Sequence, residues 1–123
     1  MDRNKQLTPH FKLSEFLRAE DPIPSLAILA NIKELAERLE KVRSILGNKP
    51  MKITSGYRTA AHNKAVGGKP SSYHLKGMAA DFVVDGISPA KVQGILKDWD
   101  GGMGQSTEFT HLDIRKYKAR WRY

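Results

Sequence analysis

His74-Leu75-Lys76-Gly77-Met78-Ala79-Ala80-Asp81-Phe82-Val83-Val84 places a histidine ahead of a glycine turn and an aspartate inside an otherwise apolar run. Residues 78–84 read as a largely buried strand, and the glycine turns it back beside the segment that carries His74. Asp81 then faces His74 across a hairpin. The small Ala79 and Ala80 let other groups pack close to that carboxylate.

Working upstream, residues 51–54 (Met-Lys-Ile-Thr) alternate as a second short strand that runs into Ser55-Gly56-Tyr57-Arg58. Residues 59–66 suit a short helix closed by Gly67-Gly68, and 69–72 read as loop. Ile28, Ile32, Leu35, Leu39, Val42 and Leu46 recur at spacings of four and three, which predicts an amphipathic helix over 27–46. Ser25 is its candidate N-cap, and Gly47, Asn48 and Pro50 form a stop signal. A shorter helix over 14–18, with Leu13, Phe16 and Leu17 to bury, is expected to dock on the long one.

Downstream, Ser88-Pro89 predicts a helix start, with Val92, Ile95, Leu96 and Trp99 as its buried face to about residue 98. Gly101, Gly102 and Gly104 are expected to break that helix, and a third strand is expected over 108–114. Helices dominate the first half and short strands the second, without βαβ alternation. The predicted fold class is therefore α+β, with helices packed on one face of a small antiparallel sheet.

The 123 residues suit one domain spanning 1–123. No cysteine is present, which excludes disulfides, thiolate metal sites and a cysteine nucleophile. No nucleotide-binding glycine fingerprint occurs. Residues 1–10 lack the apolar stretch of a signal peptide, and no segment approaches the roughly 20 apolar residues of a membrane span. Twenty-one Lys and Arg against 13 Asp and Glu give a net charge of +8, so the surface favours anionic partners. Nucleic acid and anionic cell-wall polymer satisfy that charge equally. The tail over 115–123 interleaves cations with aromatics and is a candidate attachment surface.

Two histidines lie near carboxylates: His74, with Asp81 seven residues on, and His111, with Glu108 three residues before it. A hydrolytic zinc site needs three nitrogen or oxygen ligands, an open position for water and a carboxylate base that is not itself a ligand. His74, Asp81, His111 and Glu108 can meet those needs together. On a flat strand Glu108 and His111 would face opposite sides, so Glu108 is expected at the loop end of the strand or beside a bulge.

Ser55-Gly56-Tyr57-Arg58, Ser72-x-His74-x-x-Gly77-x-Ala79-x-Asp81 and Glu108-x-x-His111-x-Asp113 together resemble the zinc D-Ala-D-Ala carboxypeptidase and L-alanyl-D-glutamate endopeptidase family. That family includes bacterial cell-wall peptidases and phage endolysins, and the resemblance extends over about residues 13–121. It implies a hedgehog/DD-peptidase-like fold and one Zn²⁺ per chain held by His74, Asp81 and His111. It further implies that Glu108 is the catalytic base and that Arg58 polarises the scissile carbonyl and steadies the oxyanion. The implied substrate is the peptide part of peptidoglycan, and the alternative is a metal-retaining cell-wall-binding module that does not hydrolyse.

Two roles stand open for Ser72, substrate contact or a loop cap, and two for Asp113, orienting an imidazole or pairing with Arg115. Tyr57 and Trp121 are read as core or pocket wall, and His10 and His62 as surface residues. The expected protein is a monomer without a specific nucleic-acid partner. It is expected to be made in the cytoplasm without a signal peptide, and either to reach the wall after release, as a phage or prophage lysin would, or to act on cytoplasmic muropeptides.

Overall fold

Ser25 accepts a hydrogen bond from the Ile28 N–H, 3.3 Å, and starts helix α1 (Leu26–Ile45) in the computed structural model, which describes residues 2–123. Its stripe of Ile32, Leu35, Ala36, Leu39 and Val42 is buried. At the far end Gly47 takes φ +88° and Asn48 φ +60°, and the Asn48 N–H turns back to the Arg43 carbonyl, 2.9 Å. That left-handed exit suits glycine and tolerates asparagine.

Before α1, a small hairpin pairs β1 (Gln6–Thr8) with β2 (Phe11–Lys12). The helix expected over 14–18 is instead a single 3-10 turn, Leu13–Phe16, which buries Leu13 and Phe16. Its backbone docks on the end of the main sheet, where the Tyr57 N–H donates to the Phe16 carbonyl, 2.8 Å. Gly56 makes that approach possible, since a Cβ there would lie 2.7 Å from the Phe16 oxygen.

The main sheet holds β3 (Met51–Ser55), β4 (Ala79–Val84), β5 (Gly102–Gln105), β6 (Thr110–Asp113) and β7 (Ala119–Arg122), in the order β3-β4-β6-β5-β7. The chain is α+β, but the sheet is mixed, because β7 runs parallel to β5 while the other pairings are antiparallel. Glycines 102 and 104, expected to break the helix before them, sit inside β5, a strand that was not among the sequence expectations. A Cβ on Gly102 would lie 2.3 Å from Asp113 Oδ2, and one on Gly104 would lie 2.6 Å from Trp121 Nε1, so the strand passes its neighbours too closely for side chains.

The other helices are α2 (Ala60–Ala65), capped by Thr59, and α3 (Pro89–Ile95), capped by Ser88 with Pro89 in its first turn. Helix α3 ends before the expected residue 98. Alternation along β4 and β6 sends Ala80, Phe82, Val84 and Leu112 into one hydrophobic cluster with Phe11, Phe16, Met103 and the α1 stripe. Asp81, His111 and Asp113 therefore project from the opposite face.

Candidate metal centre

Strand register builds the site. Ser55 pairs with Asp81, Asp81 with His111, His111 with Gly104 and Gly104 with Trp121, so one cross-strand row runs over all five strands. A register shift between Ile53 and Ser55 brings Ser55 opposite Asp81, and the Thr54 hydroxyl at that irregularity donates to the Asp81 carbonyl, 3.2 Å.

His74 reaches this row from a 3-10 turn, Tyr73–Lys76, rather than from a hairpin strand. Gly77 ends the turn at φ +71°, and a Cβ there would press on Ile32 and Ile28 of α1. A reciprocal latch fixes the turn: His74 Nδ1 donates to the Gly56 carbonyl, 2.7 Å, and the Arg58 N–H donates to the His74 carbonyl, 3.0 Å. Because a carbonyl only accepts, Nδ1 carries a proton, and Nε2 is left facing the site, 3.4 Å from Asp81 Oδ1.

His111 lies between two carboxylates, with Nδ1 2.9 Å from Asp81 Oδ1 and Nε2 2.9 Å from Asp113 Oδ2. Its ring stands edge-on to that of His74, centroids 5.0 Å apart, and 5.1 Å from the ring of Trp121. Burial opposes charge on His111, but bonds to Asp113 and Asp81 outweigh it and raise its pKa. Burial likewise disfavours the Asp81 carboxylate, yet hydrogen bonds from His111 and His74 bring its pKa down to about 2.

Asp113 is fully buried and contacts both groups the sequence offered it, the His111 imidazole and Arg115. It accepts from His111 Nε2, from Arg115 Nε and Nη2 at 2.7 Å each, and from the Gly102 N–H, 3.0 Å. Burial resists ionisation here too, but Arg115 and His111 together hold the carboxyl well below the usual range. Arg115 is in turn surrounded by the rings of Tyr73, Trp121 and Tyr117, at 4.5, 5.1 and 5.5 Å.

His74, Asp81 and His111 are all buried, and each offers a donor atom within 4.8 Å of the others. Two imidazole nitrogens and one carboxylate oxygen suit a divalent transition ion. Arg58 stands beside them, with Nη2 3.5 Å from Asp81 Oδ2 and Nε donating to Ser55 Oγ, 3.1 Å. A cleft of about 450 Å³ between the Leu13–Phe16 turn and the end of β3 shares Ser55 and Gly56 with this wall.

Ser72 caps the histidine turn, its hydroxyl accepting from the His74 N–H, 3.2 Å, so the capping role is the one the structure displays. Glu108 is not brought into the cluster. It is exposed in the loop before β6, where its N–H donates to Ser106 Oγ, 3.1 Å. Gln93 of α3 ties that loop down by donating to Ser106 O, Phe109 O and Thr110 Oγ1. His62 is half-buried at the cleft, and His10 pairs on the surface with Glu40, 2.7 Å.

The tail is built into the sheet more deeply than an attachment surface. Arg120 of β7 donates to the carbonyls of Gly101 and Ala119, 2.8 Å each, and also to those of Lys97 and Trp99. Lys116, Lys118 and Arg122 remain exposed. Gln93, Asn63 of α2 and the Arg115 cage escaped the sequence reading. Only the regular cation–aromatic alternation of the tail hinted at one of them.

The profile of the peptidase M15 family matches residues 9–113. The peptidoglycan L,D-endopeptidase MepK of Escherichia coli K12 is 33% identical over 88 residues, covering 64% of this chain and 48% of that protein. The probable peptidoglycan L,D-endopeptidase MepK of Haemophilus influenzae is 30% identical over 98 residues, covering 69% of this chain and 53% of that protein. The chain thus spans about half the length of these curated relatives.

Proposed function

The chain belongs to the peptidase M15 family, and on that premise we propose that it hydrolyses peptide bonds in peptidoglycan stem peptides with Zn²⁺ held by His74, Asp81 and His111. The observation that carries this reading is the buried His-Asp-His cluster, whose donors converge within 4.8 Å on one face of the sheet. Bound there, zinc supplies a Lewis acid that activates water and polarises the scissile carbonyl.

The chain's own residues do the rest. The bond from His74 Nδ1 to Gly56 commits Nε2 to the ion, and the bond from His111 Nε2 to Asp113 commits Nδ1. Arg58 offers guanidinium donors to the oxyanion that develops on the carbonyl. Glu108 takes the proton of the attacking water and returns it to the leaving amine, its side chain turning in from the loop before β6. The names of the relatives favour an L,D-type bond over D-Ala-D-Ala.

The exposed position of Glu108, outside the cluster, is the one observation that favours a wall-binding module without hydrolysis. Zinc-loaded protein incubated with defined muropeptides, with products identified by mass spectrometry, separates the two. L-Ala–D-Glu or related L,D cleavage supports the peptidase and reports its bond. Retention on peptidoglycan without any product supports the module.

A further inference from the structure

Asn63 has no part in the metal cluster, yet the residue is only 3% exposed and both ends of its side chain are engaged. Oδ1 accepts from Arg58 Nη1, 3.3 Å, and Nδ2 donates to the Lys69 carbonyl, 2.8 Å. The Gly68 N–H closes the loop onto the Asn63 carbonyl, 2.8 Å. Gly68 itself leaves no spare room, since a Cβ there would lie 2.1 Å from Asn63 Oδ1 and 3.1 Å from Arg58 Nη1. The guanidinium is therefore held by three residues at three different nitrogens: Ser55 at Nε, Asn63 at Nη1 and Asp81 at Nη2.

These anchors are not equivalent. Asp81 is shared with His74 and His111, and a metal would draw on the same carboxylate. Ser55 holds only the inner nitrogen, about which the terminal group can still rotate. Asn63 grips a terminal nitrogen from outside the cluster and is itself locked by the loop that carries Gly68. We infer that Asn63 is a positioning residue for Arg58, fixing the rotation and direction of its guanidinium independently of the metal. The consequence for catalysis rests on the proposed role of Arg58 at the scissile carbonyl, where a donor set out of place loses most of its value.

Arginine-selective ¹⁵N NMR of the full chain tests the positioning directly. In the wild type the Arg58 Nη signals should be resolved by slow rotation; in Asn63→Leu they should coalesce as rotation accelerates by roughly tenfold or more. Asn63→Asp keeps an acceptor for Arg58 and removes the donor to Lys69, so it should preserve the resolved signals. Unchanged signals in Asn63→Leu, or an Asn63→Asp spectrum that matches Asn63→Leu, would overturn the inference. Should the amide spectrum show Asn63→Leu unfolded, Gly68→Ala displaces the same contact, and unaltered Arg58 signals there would also overturn it.

Turnover adds a second reading: Asn63→Leu should lower kcat roughly 10- to 100-fold with KM changed less than about threefold, and Asn63→Asp should recover most of it. A wild type that cuts no muropeptide refutes the peptidase reading, while the NMR comparison still decides the positioning.

Discussion

Trp121 covers Gly104: the indole of β7 occupies the space that a side chain on β5 would need, and it stands 5.1 Å from the ring of His111. Gly104→Ala should push the indole away, with Tyr123 also in the path at 2.8 Å. Overpacking of this kind costs about 1–3 kcal/mol. We expect a lower melting temperature and weaker zinc retention than in the wild type, read by calorimetry and by competition with a chromogenic chelator.

One zinc ion per chain should bind and raise the melting temperature, because the ligands come from separate segments and the ion favours only their folded arrangement. His74→Ala should lose zinc and activity together. Elemental analysis alongside melts with and without chelator checks both, and a melt indifferent to zinc and chelator would count against the site.

Glu108→Gln should keep the fold and the zinc but lower turnover by about 10²–10⁴-fold, the usual contribution of a positioned general base. Gln93→Ala should fall between this variant and the wild type, since it frees the loop that carries Glu108 without removing the carboxylate. The check is kcat on a defined muropeptide together with zinc content, and near wild-type turnover in Glu108→Gln would exclude it as the base.

Two limbs of pH dependence should appear in the metal-free protein. The Asp81 pKa is depressed from 3.8 to about 2, so its contribution to stability is present above pH 4 and is lost as pH falls towards 2. The His111 pKa is raised above 6.5, so its contribution is full below that value and is lost as pH rises through the folded pKa. Zinc must displace a proton from His111, so its affinity should increase with pH across that same upper range. Urea melts of the metal-free chain and zinc titrations from pH 2 to 9 test the signs.

Charge reversal at Lys116, Lys118 and Arg122 should weaken binding to intact cell walls in a salt-sensitive way and leave cleavage of a small soluble peptide unchanged. Arg120 is set apart because it ties β7 to the carbonyls ahead of β5. Equal losses on walls and peptide would show that the three exposed cations act on the site itself.

The parts legible in the sequence were those with a local signature. Helix α1 followed from its apolar period and from Ser25, and His74, Asp81 and His111 from their residue types and spacing. Strand β5 was hidden because glycine marks both a helix break and a close approach; only the neighbours Asp113 and Trp121 distinguish the two. The parallel docking of β7 depends on a contact formed across the sheet, which no local pattern encodes. Asn63 was invisible for the same reason, since its partners Arg58 and Lys69 come together only through the latch around His74. The spacing rule put Glu108 at the loop end of the strand or beside a bulge, but the orientation of its carboxylate is not a property of spacing.

The cross-strand row also polices the assembly of the sheet. Side chains alternate along β4 and β6, so sliding either strand by one residue would exchange its two faces. Phe82 and Leu112 would move to the outer face, while Asp81, His111 and Asp113 would enter the apolar cluster without Arg115, His74 or the Gly102 N–H to receive them. An unpaired carboxylate in such surroundings costs several kcal/mol. Mispaired sheets are thus expelled during folding by the same carboxylates and imidazole that meet at the metal centre, which makes the chemistry of this face a proofreader of its own topology.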